Sequence, residues 1–480
     1  MGGLGLASPP TASKPMSTVN VRRARTHALP FEAFPFVVYN RRVTADGLNR
    51  RAIPPPENYL GRRNVMSNFK LGFIGAGFIA KFQATALQGV RGVDLAGVHA
   101  LKGAKELAAF AKKTGVGDCK VYKSVSELCK NVDAVAIFAP NFARIEIMQK
   151  IVDAVKAGAA LKGIICEKPL GRTVKEAMQL VDLVKQTKLP NAYFENQLHM
   201  KGIRAQMQQL APQQAAMGPL ALARSAEEHS GPHEGWFWDP TRQGGGVLCD
   251  MGCHSIACCW YVLTPTGKPV TFLKPVSVSA ETALLKWGLP RWRKDLKARM
   301  GVDYGKTPAE DFATGLVTFQ NPETGQLSKG QFTNSWMYDK QGLRLMMDGL
   351  GPGYAFEFNS QMSSLQIFIG DAAADAVADA ESALEKSTAT RGLLTVEPNE
   401  ADLYGYVDEI QDAVASFKRG KDGFLNFAYG LEITKLCQAA YLSAERGQVI
   451  DLTAPKTQEE LKSYTSLIAQ GKGAELLHVK

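Results

Sequence analysis

The sequence predicts an α/β domain with a doubly wound parallel sheet, followed by an α+β domain with a large, mostly antiparallel open sheet. Between Lys70 and Ala192, short apolar segments typical of buried strands alternate with longer segments of helical periodicity. A Gly-rich turn follows the first of these strands. After Ala192, strand-like segments largely follow one another, which is typical of antiparallel pairing.

In the first domain, the strand KLGFIG precedes a predicted helix over residues 78–87. Further strands are predicted in VDLAGVHA, AVAIFAP and GIICEKP, and further helices over residues 104–113 and 145–157. Gly158 suits the C-terminus of the helix before it. Thr173 and Glu176 have the spacing of a capping box, so another helix is predicted to begin there.

In the second domain, the predicted strands are LALARSAEE, PVSVSAETAL, DFATGLVTFQ, LSKGQFTNSW, LRLMMDG, YAFEFN and LQIFI. A basic, aromatic stretch at residues 286–307 interrupts them. A second interruption, at residues 370–392, is rich in Ala and acidic residues and is expected to be a surface helix or an insert. Helices over residues 404–417 and 433–445 are predicted to close the chain.

Length and composition suit a soluble globular protein of two or three domains. Hydrophobic residues make up 45% of the chain, and no run of 18 apolar residues predicts a membrane span. Most of the net charge of +10 lies in residues 1–65, which contain nine Arg and one Lys but only three acidic residues. Because no basic stripe continues beyond them, we expect no nucleic-acid partner. We divide the chain into an N-terminal extension or arm (1–65), a parallel-sheet domain (66–192) and an α+β domain (193–480).

The eight Cys lie in apolar or helical segments rather than in a loop-rich framework, which indicates reduced thiols and a cytoplasmic location. Four of them flank His254 and raise the alternative of a metal site: Cys249, Cys253, Cys258 and Cys259. Zinc ligands usually come as short paired spacings from separate segments. We therefore expect no bound metal.

The turn GFIGAGFIA has the spacing of a dinucleotide-binding motif. Gly75 makes a tight turn, Gly77 allows the backbone to approach a pyrophosphate, and Ala80 allows the helix to pack on the strand. NAD-specific sites usually place an acidic residue at the end of the second strand, but here His99 and Lys102 follow it. The sequence therefore predicts a dinucleotide and leaves NAD and NADP open.

With this turn, the motif CEKPLG and the later D-x-x-x-H motif, the chain over residues 68–455 resembles the Gfo/Idh/MocA oxidoreductases, such as glucose–fructose oxidoreductase and inositol 2-dehydrogenase. The resemblance implies a Rossmann domain followed by an open-sheet domain, an NAD or NADP cofactor, a small-molecule carbohydrate substrate and a homodimer or homotetramer. One departure is Arg144, which stands where the family often has His in P-N-x-x-H. It would be a cation at the mouth of the cofactor site or a surface residue of a helix. The implied cofactor-binding residues are Gly75, Gly77, Phe78, Ile79, Ala80, His99, Lys102, Pro140, Asn141, Arg144, Glu167 and Lys168.

The resemblance also implies three catalytic residues, Lys168, Asp250 and His254. An imidazole with an ordinary pKa near 6.5 suits the proton transfer that accompanies oxidation of a secondary alcohol. Lys168 is expected to stabilise a developing alkoxide, and to relay a proton if burial lowers its pKa. Asp250 and His254, four residues apart, are expected to share a helix face, with Asp250 orienting the sugar or the His.

Further substrate-binding candidates are aromatic or polar residues around these motifs, because aromatic faces suit sugar C–H surfaces and polar groups suit hydroxyls. With the catalytic residues Lys168, Asp250 and His254, they are Asn196, His229, His233, Trp236, Trp238 and Trp336. The predicted function is an NAD(P)-dependent oxidoreductase acting on a secondary hydroxyl of a sugar, glycoside or cyclic polyol. Two alternatives stay open: a glycoside-cleaving enzyme that oxidises the sugar transiently and eliminates the aglycone, and a non-catalytic dinucleotide sensor.

Overall fold

Two large sheets organise the chain, one built from each half of the sequence. The computed structural model describes residues 68–340, 342–362, 366–369, 392–395 and 399–477. The strands of the first sheet are β1 (Phe69–Ile74), β2 (Val93–His99), β3 (Lys120–Val121), β4 (Ala134–Ile137), β5 (Gly163–Glu167) and β6 (Asn191–Phe194). The helices of this half are α1 (Phe78–Ala86), α2 (Ala104–Thr114), α3 (Val125–Cys129), α4 (Arg144–Lys156) and α5 (Val174–Thr187).

The first sheet has the order β3-β2-β1-β4-β5-β6, and all of its strand pairs are parallel. The prediction of a doubly wound parallel sheet is therefore confirmed. The strand order reverses between β1 and β4, and such a reversal opens a crevice at the carboxyl ends of the strands. The predicted capping of α5 is also present, because the Thr173 side chain accepts a hydrogen bond from the Glu176 backbone N–H.

The second sheet has seven strands in the order β12-β11-β7-β10-β9-β8-β15. Its pairs are antiparallel except for the parallel pair of β7 and β10, so the predicted mostly antiparallel sheet is confirmed. The strands of this half, including a separate β13–β14 pair, are β7 (Leu222–Glu228), β8 (Lys274–Ala283), β9 (Phe312–Gln320), β10 (Leu327–Ser335), β11 (Arg344–Gly351), β12 (Tyr354–Asn359), β13 (Gln366–Ile369), β14 (Gly392–Thr395) and β15 (Ile450–Asp451).

The helices of the second half occupy the segments between these strands and the C-terminal region. They are α6 (Lys201–Gln209), α7 (Ala211–Met217), α8 (Gly235–Trp238), α9 (Pro240–Gln243), α10 (Cys253–Leu263), α11 (Pro290–Met300), α12 (Glu400–Leu403), α13 (Tyr406–Lys418), α14 (Phe427–Arg446), α15 (Pro455–Ser463) and α16 (Gly473–Leu477). The basic, aromatic stretch contains α11. The Ala- and acid-rich stretch at 370–391 and the N-terminal arm at 1–65 lie outside the described residues.

The helical stretch Pro240–Leu263 is apolar because it lies in the core. Within the part of the chain that is described, it alone has the length and hydropathy of a membrane span, and 94% of its most apolar window is buried inside the protein. Its α10 section packs against β7, β10 and α14. Burial against the sheet and a neighbouring helix therefore accounts for its composition.

One C-terminal helix, α13, packs back on the first sheet. Val407 lies against Gly89, and the Phe417 ring covers Gly163 at the start of β5. A Cβ at Gly163 would lie 2.2 Å from that ring, so glycine is required for this approach. Burying a Phe side chain contributes roughly 2–3 kcal/mol. The predicted second domain thus supplies part of the covering of the first sheet.

Candidate active site

The glycine turn lies at the crevice of the first sheet. Gly75 has φ of +119°, and a Cβ there would lie 2.6 Å from the Phe138 carbonyl oxygen. Among the described residues, and apart from the adjoining residues, no atom lies within 4 Å of a Cβ placed on Gly77, which leaves room for a ligand beside the start of α1. Phe78 and Ile79 begin that helix and are half-buried, while Ala80 is fully buried against the sheet. This arrangement leaves the backbone N–H groups at the start of α1 without a side-chain cap.

The end of β2 carries no carboxylate. His99 pairs through Nδ1 with the Tyr122 carbonyl oxygen at 3.0 Å, while Lys102 is exposed. An exposed ammonium group can pair with a 2′-phosphate but is not required for a free ribose hydroxyl. The choice between NAD and NADP therefore stays open.

Arg144 takes neither of the two positions expected for it. Its side chain is buried rather than on the surface, so the interpretation as a surface helix residue is wrong. The guanidinium donates to the carbonyl oxygens of Glu167 at 2.6 Å and Lys168 at 3.1 Å, and also to that of Pro169. A planar guanidinium with several donors suits this bridging of successive carbonyls. Arg144 thus fixes the segment that carries Lys168, rather than presenting its charge at the cleft.

Glu167 and Glu409 are two buried carboxyl groups that share one hydrogen-bond donor next to that segment. The Gln83 amide donates to Glu167 at 3.2 Å and to Glu409 of α13 at 2.7 Å. Burial raises the pKa of both carboxyls, and the charge of Glu167 raises the pKa of Glu409 further, well above its ordinary range. Both effects therefore favour the protonated form of Glu409. Glu167 also accepts from the Lys168 backbone N–H, so it supports the motif from beneath.

Lys168 reaches across to the segment that contains Asp250. Its Nζ donates to the Asp250 backbone carbonyl at 2.8 Å and lies 3.2 Å from the carboxylate Oδ1. The other carboxylate oxygen accepts from Trp336 Nε1 at 3.3 Å and lies 3.8 Å from His229 Nε2. Asp250 is thereby held by groups from three separate elements of the chain.

The proton relay predicted for Lys168 depends on burial lowering its pKa. The structure does not lower it. Burial is the largest single influence and lowers its pKa, but the neighbouring acidic groups, Asp250 first and then Glu227 and Glu167, together outweigh it. The net result is a pKa above the ordinary value for lysine. Lys168 therefore remains an ammonium group, which suits charge stabilisation and not proton relay.

His254 is paired with a residue that the sequence reasoning did not select. Its Nδ1 is hydrogen-bonded to the carboxylate of Glu195, which follows β6. Burial is the largest single influence and lowers the pKa of His254, but the charges of Glu195 and Glu227, together with the hydrogen bond to Glu195, outweigh it, and the net pKa is raised. A carboxylate on one ring nitrogen fixes the orientation of an imidazole and stabilises its charged form.

Asp250 and His254 lie on two different kinds of helical turn. Asp250 belongs to a π-helical turn, Leu248–Gly252, while His254 lies in the first turn of α10. Such π turns are rare and are often found at functional sites. Asp250 is attached to Lys168 and His254 to Glu195, and a common helix face for the two residues stays a prediction.

A buried carboxylate, Glu310, anchors the beginning of this helical segment. It accepts hydrogen bonds from the backbone N–H groups of Gly246 and Leu248, each at 3.0 Å, and from the Tyr441 hydroxyl at 2.6 Å. Burial raises the pKa of Glu310 to about 7, although these hydrogen bonds act in the opposite direction. The position of Asp250 therefore depends on a group that titrates near neutrality.

Three side chains in the described residues have the spacing of possible metal ligands: Glu195, Cys253 and His254, whose ligand atoms lie within 4.8 Å of one another. Burial raises the pKa of the Cys253 thiol well above its ordinary value. The neutral thiol is a poor metal ligand because the thiolate is the coordinating form. That no metal binds stays a prediction.

Two family profiles match this architecture. The profile described as "Oxidoreductase family, NAD-binding Rossmann fold" matches residues 69–193, and the profile described as "GFO/IDH/MocA C-terminal domain" matches residues 206–349. The chain belongs to the Gfo/Idh/MocA family. The resemblance inferred from the motifs is thereby confirmed, and residues 69–193 form the NAD-binding Rossmann fold of this family.

Several curated proteins that are similar to this chain have named activities. The chain is 25% identical over 197 residues to glucose-6-phosphate 3-dehydrogenase of Bacillus subtilis, covering 40% of this chain and 53% of that protein. It is 27% identical over 196 residues to 1,5-anhydro-D-fructose reductase of Ensifer adhaerens, covering 40% and 56%. The chain thus matches about half the length of these curated relatives. The solved structure of GenD2 from gentamicin A biosynthesis, in complex with NAD, has the same fold at 21% identity and a TM-score of 0.63, covering 85% of this chain and 100% of that one.

Three substrate-binding candidates of this Gfo/Idh/MocA protein have positions that do not suit direct contact with a sugar. Trp238 and Trp336 are fully buried, with ring centroids 4.9 Å apart, so neither offers a free face. Asn196 is buried and donates to the Tyr404 carbonyl oxygen at 2.8 Å, so it links the segment after β6 to the end of α12. Trp336 still contributes through its hydrogen bond to Asp250.

The remaining candidates lie along the segment that follows β7. His229 is buried next to Asp250, His233 is exposed and its ring lies 4.6 Å from that of Phe78, and Trp236 is half-buried. Asn141, after Pro140 at the end of β4, donates to the backbone and side-chain oxygens of Gln243 at 2.9 and 2.8 Å. This segment therefore borders the carboxyl edge of the Rossmann sheet from the glycine turn to β4.

Glu227 is a second functional candidate that the sequence reasoning missed. It is buried, accepts from Gln197 at 2.7 Å, and interacts electrostatically with His254, Lys168 and Asp250. Burial raises its pKa above the ordinary value. The neighbouring Glu228 points to the opposite face of β7 and pairs with Arg344. Alternation along β7 was the signal that could have distinguished the two.

Proposed function

We propose that this protein is an NAD(P)-dependent dehydrogenase that transfers hydride to or from a secondary hydroxyl of a sugar, glycoside or cyclic polyol. The observation that carries the proposal is the buried Glu195–His254 pair beside Lys168 and Asp250, at the carboxyl edge of the Rossmann sheet. The names of the two curated relatives, a sugar-phosphate dehydrogenase and an anhydrosugar reductase, support a carbohydrate substrate. We also propose a cytoplasmic homodimer or homotetramer.

The residues around the crevice fit a dinucleotide. Gly77 leaves open space at the start of α1, where a pyrophosphate would approach the backbone. Gln243 Nε2 is buried and has no hydrogen-bond partner among the described residues, so it offers a donor to a polar group in the crevice. Gly75, Gly77 and Gln243 would therefore hold the cofactor, with Lys102 and Asn141 at its two ends. When bound, the nicotinamide supplies the hydride acceptor or donor.

Proton transfer falls to His254. Glu195 occupies Nδ1, so Nε2 is the nitrogen available to exchange a proton with the substrate hydroxyl. As the imidazole takes up that proton, the Glu195 carboxylate stabilises the cation that forms. Lys168 stays charged and stabilises negative charge that develops on the substrate oxygen.

Asp250 is the substrate-orienting group in this proposal. Its carboxylate is fixed by Lys168 and Trp336, and His229 lies at 3.8 Å, so it can accept a hydrogen bond from a sugar hydroxyl without reorganising. Glu227 adds a second buried carboxyl nearby.

His229 also supports the glycoside-cleaving alternative. A second imidazole beside Asp250 provides a group that can protonate a leaving aglycone, a step that simple dehydrogenation does not need. The alternative predicts no net change in cofactor, because the hydride returns to the sugar.

The test is a panel of free sugars, cyclic polyols and glycosides, incubated with NAD and with NADP. Both absorbance of the reduced cofactor and release of aglycone are recorded. We expect net reduction of the cofactor by wild type, and at least ~100-fold slower turnover by His254→Ala with cofactor binding retained. Aglycone release without net cofactor reduction would select the alternative. Near-normal turnover by His254→Ala would remove this residue from the mechanism.

A further inference from the structure

Residues 229–243 connect the catalytic groups to the surface of the crevice. One end lies beside Asp250 through His229, and the other is held to Asn141 through Gln243. Between them, helix α8 packs its Trp238 ring 4.9 Å from that of Trp336, the residue that bonds to Asp250. The Trp336 side chain therefore connects helix α8 to the Asp250 carboxylate, which orients the substrate in the proposed function.

The opposite side of α8 carries aromatic rings toward solvent. Trp236 is half-buried, and its ring lies 3.8 Å from that of Phe237. Phe142, which follows β4, is 37% exposed, and its ring meets that of Trp236 at 6.0 Å and 78°. Two rings at this angle form a corner that can contact the face and the edge of a third ring at the same time.

A cation completes this corner. The Arg242 guanidinium lies over the Phe142 ring at 4.6 Å, and the side chain is exposed. In the part of the chain that is described, no carboxylate forms an ion pair with Arg242, which leaves its N–H groups available to hydroxyl or acidic substituents.

We propose that Phe142, Trp236, Phe237 and Arg242 form an outer subsite for the second ring of a glycoside. The substrate class is then a disaccharide or an aryl glycoside, whose first ring lies at Asp250 and His254, rather than a free monosaccharide. This proposal rests on the proposed function for the identity of the first site. Its physical basis is that a pyranose or aryl ring buries apolar surface on aromatic faces, while Arg242 binds the polar rim of that ring.

The experiment compares methyl, 4-nitrophenyl and disaccharide glycosides of the same first sugar. For each compound, kcat/KM is measured from cofactor reduction, and the affinity for the protein saturated with reduced cofactor is measured by calorimetry. We expect wild type to prefer two-ring compounds over the methyl glycoside. Removing one ring, in Phe142→Ala or Trp236→Ala, should lower that preference roughly tenfold.

Phe424→Ala is the matched control. Phe424 is also 37% exposed and also carries an arginine, Arg204, over its ring at 4.9 Å. It adjoins the amino end of β6, because Gly423 N–H bonds to the Asn191 carbonyl, whereas Glu195 follows the carboxyl end. This variant should retain the wild-type preference.

If Phe142→Ala lowers kcat/KM equally for one-ring and two-ring compounds, the outer subsite is overturned. The aromatic residues would then contribute only to the shape of the crevice. A wild-type protein with no preference in rate or in affinity would also overturn it. If no compound reduces the cofactor, yet two-ring glycosides bind wild type and bind the two variants about tenfold more weakly, the outer subsite stands and the proposed dehydrogenase function fails.

Discussion

Replacing Glu310 with Gln should change how the stability of the protein depends on pH. Glu310 is fully buried and holds Gly246, Leu248 and Tyr441 through hydrogen bonds to its carboxylate. Its pKa is raised by burial from an ordinary 4.5 to about 7. The folded protein therefore binds this proton more tightly than the unfolded chain does. The resulting stability is fully present below pH 4.5 and is lost as the pH rises through 7.

The size of the effect follows from the two pKa values. Between pH 8 and pH 5, proton uptake by Glu310 adds about 2.5 kcal/mol to the free energy of unfolding. With an unfolding entropy of about 2.1 cal/mol/K per residue, a folded unit of roughly 400 residues gains about 3 °C in Tm. Glu310→Gln cannot take up this proton, so its gain between the same two pH values should be smaller by that amount.

Thermal unfolding of wild type and Glu310→Gln, followed by circular dichroism from pH 5 to pH 8, provides the assay. Other carboxyls also titrate in this range, so the informative quantity is the difference between the two Tm curves. Glu281→Gln is the control, because Glu281 is exposed on β8 and the chemical change is the same. Tm curves of wild type and Glu310→Gln that run parallel across this pH range would refute the reasoning, whatever the constant offset between them.

Three further predictions concern groups around the crevice. Glu195→Gln should lower kcat about 100-fold and move the acidic limb of the pH–rate profile to lower pH, because burial then dominates the pKa of His254; an unchanged profile would reduce Glu195 to a packing role. Arg144→Lys should weaken cofactor binding in a nucleotide titration and cost about 1–2 kcal/mol of stability, because an ammonium group cannot bridge the same carbonyls; an unaltered titration would argue against this bracing role. Gly163→Ala should cost roughly 1–3 kcal/mol by denaturant unfolding, and Phe417→Leu in the same chain should recover part of it; absence of any cost would mean that α13 shifts freely.

The fold was largely predictable because the order of the predicted strands and helices differs between the two parts of the sequence. Alternating strands and helices over the first half require a parallel sheet, and successive strands over the second half favour an antiparallel one. The packing of α13 on the first sheet was not predictable in this way. Helical periodicity indicates that a helix has an apolar face but does not say which of two sheets that face covers.

The motifs located the site, but they did not identify which side chains meet there. Lys168, Asp250 and His254 were selected by resemblance. The hydrogen-bond partner of His254 is Glu195, which lies far from it in sequence. Sequence spacing alone could not reveal this pairing. Trp336 shows the converse problem, because an indole that suits a sugar face suits a buried core equally well.

The return of α13 to the first sheet has a consequence for synthesis of the chain. The Rossmann sheet is nearly complete in sequence once β5 has left the ribosome, yet Phe417, which covers the start of β5, emerges roughly 250 residues and 12 to 50 s later. During that interval the apolar surface around Gly163 is without its covering. We therefore expect a nascent chain that ends near β6 to retain chaperones, and full-length chains to release them only after α13 has emerged.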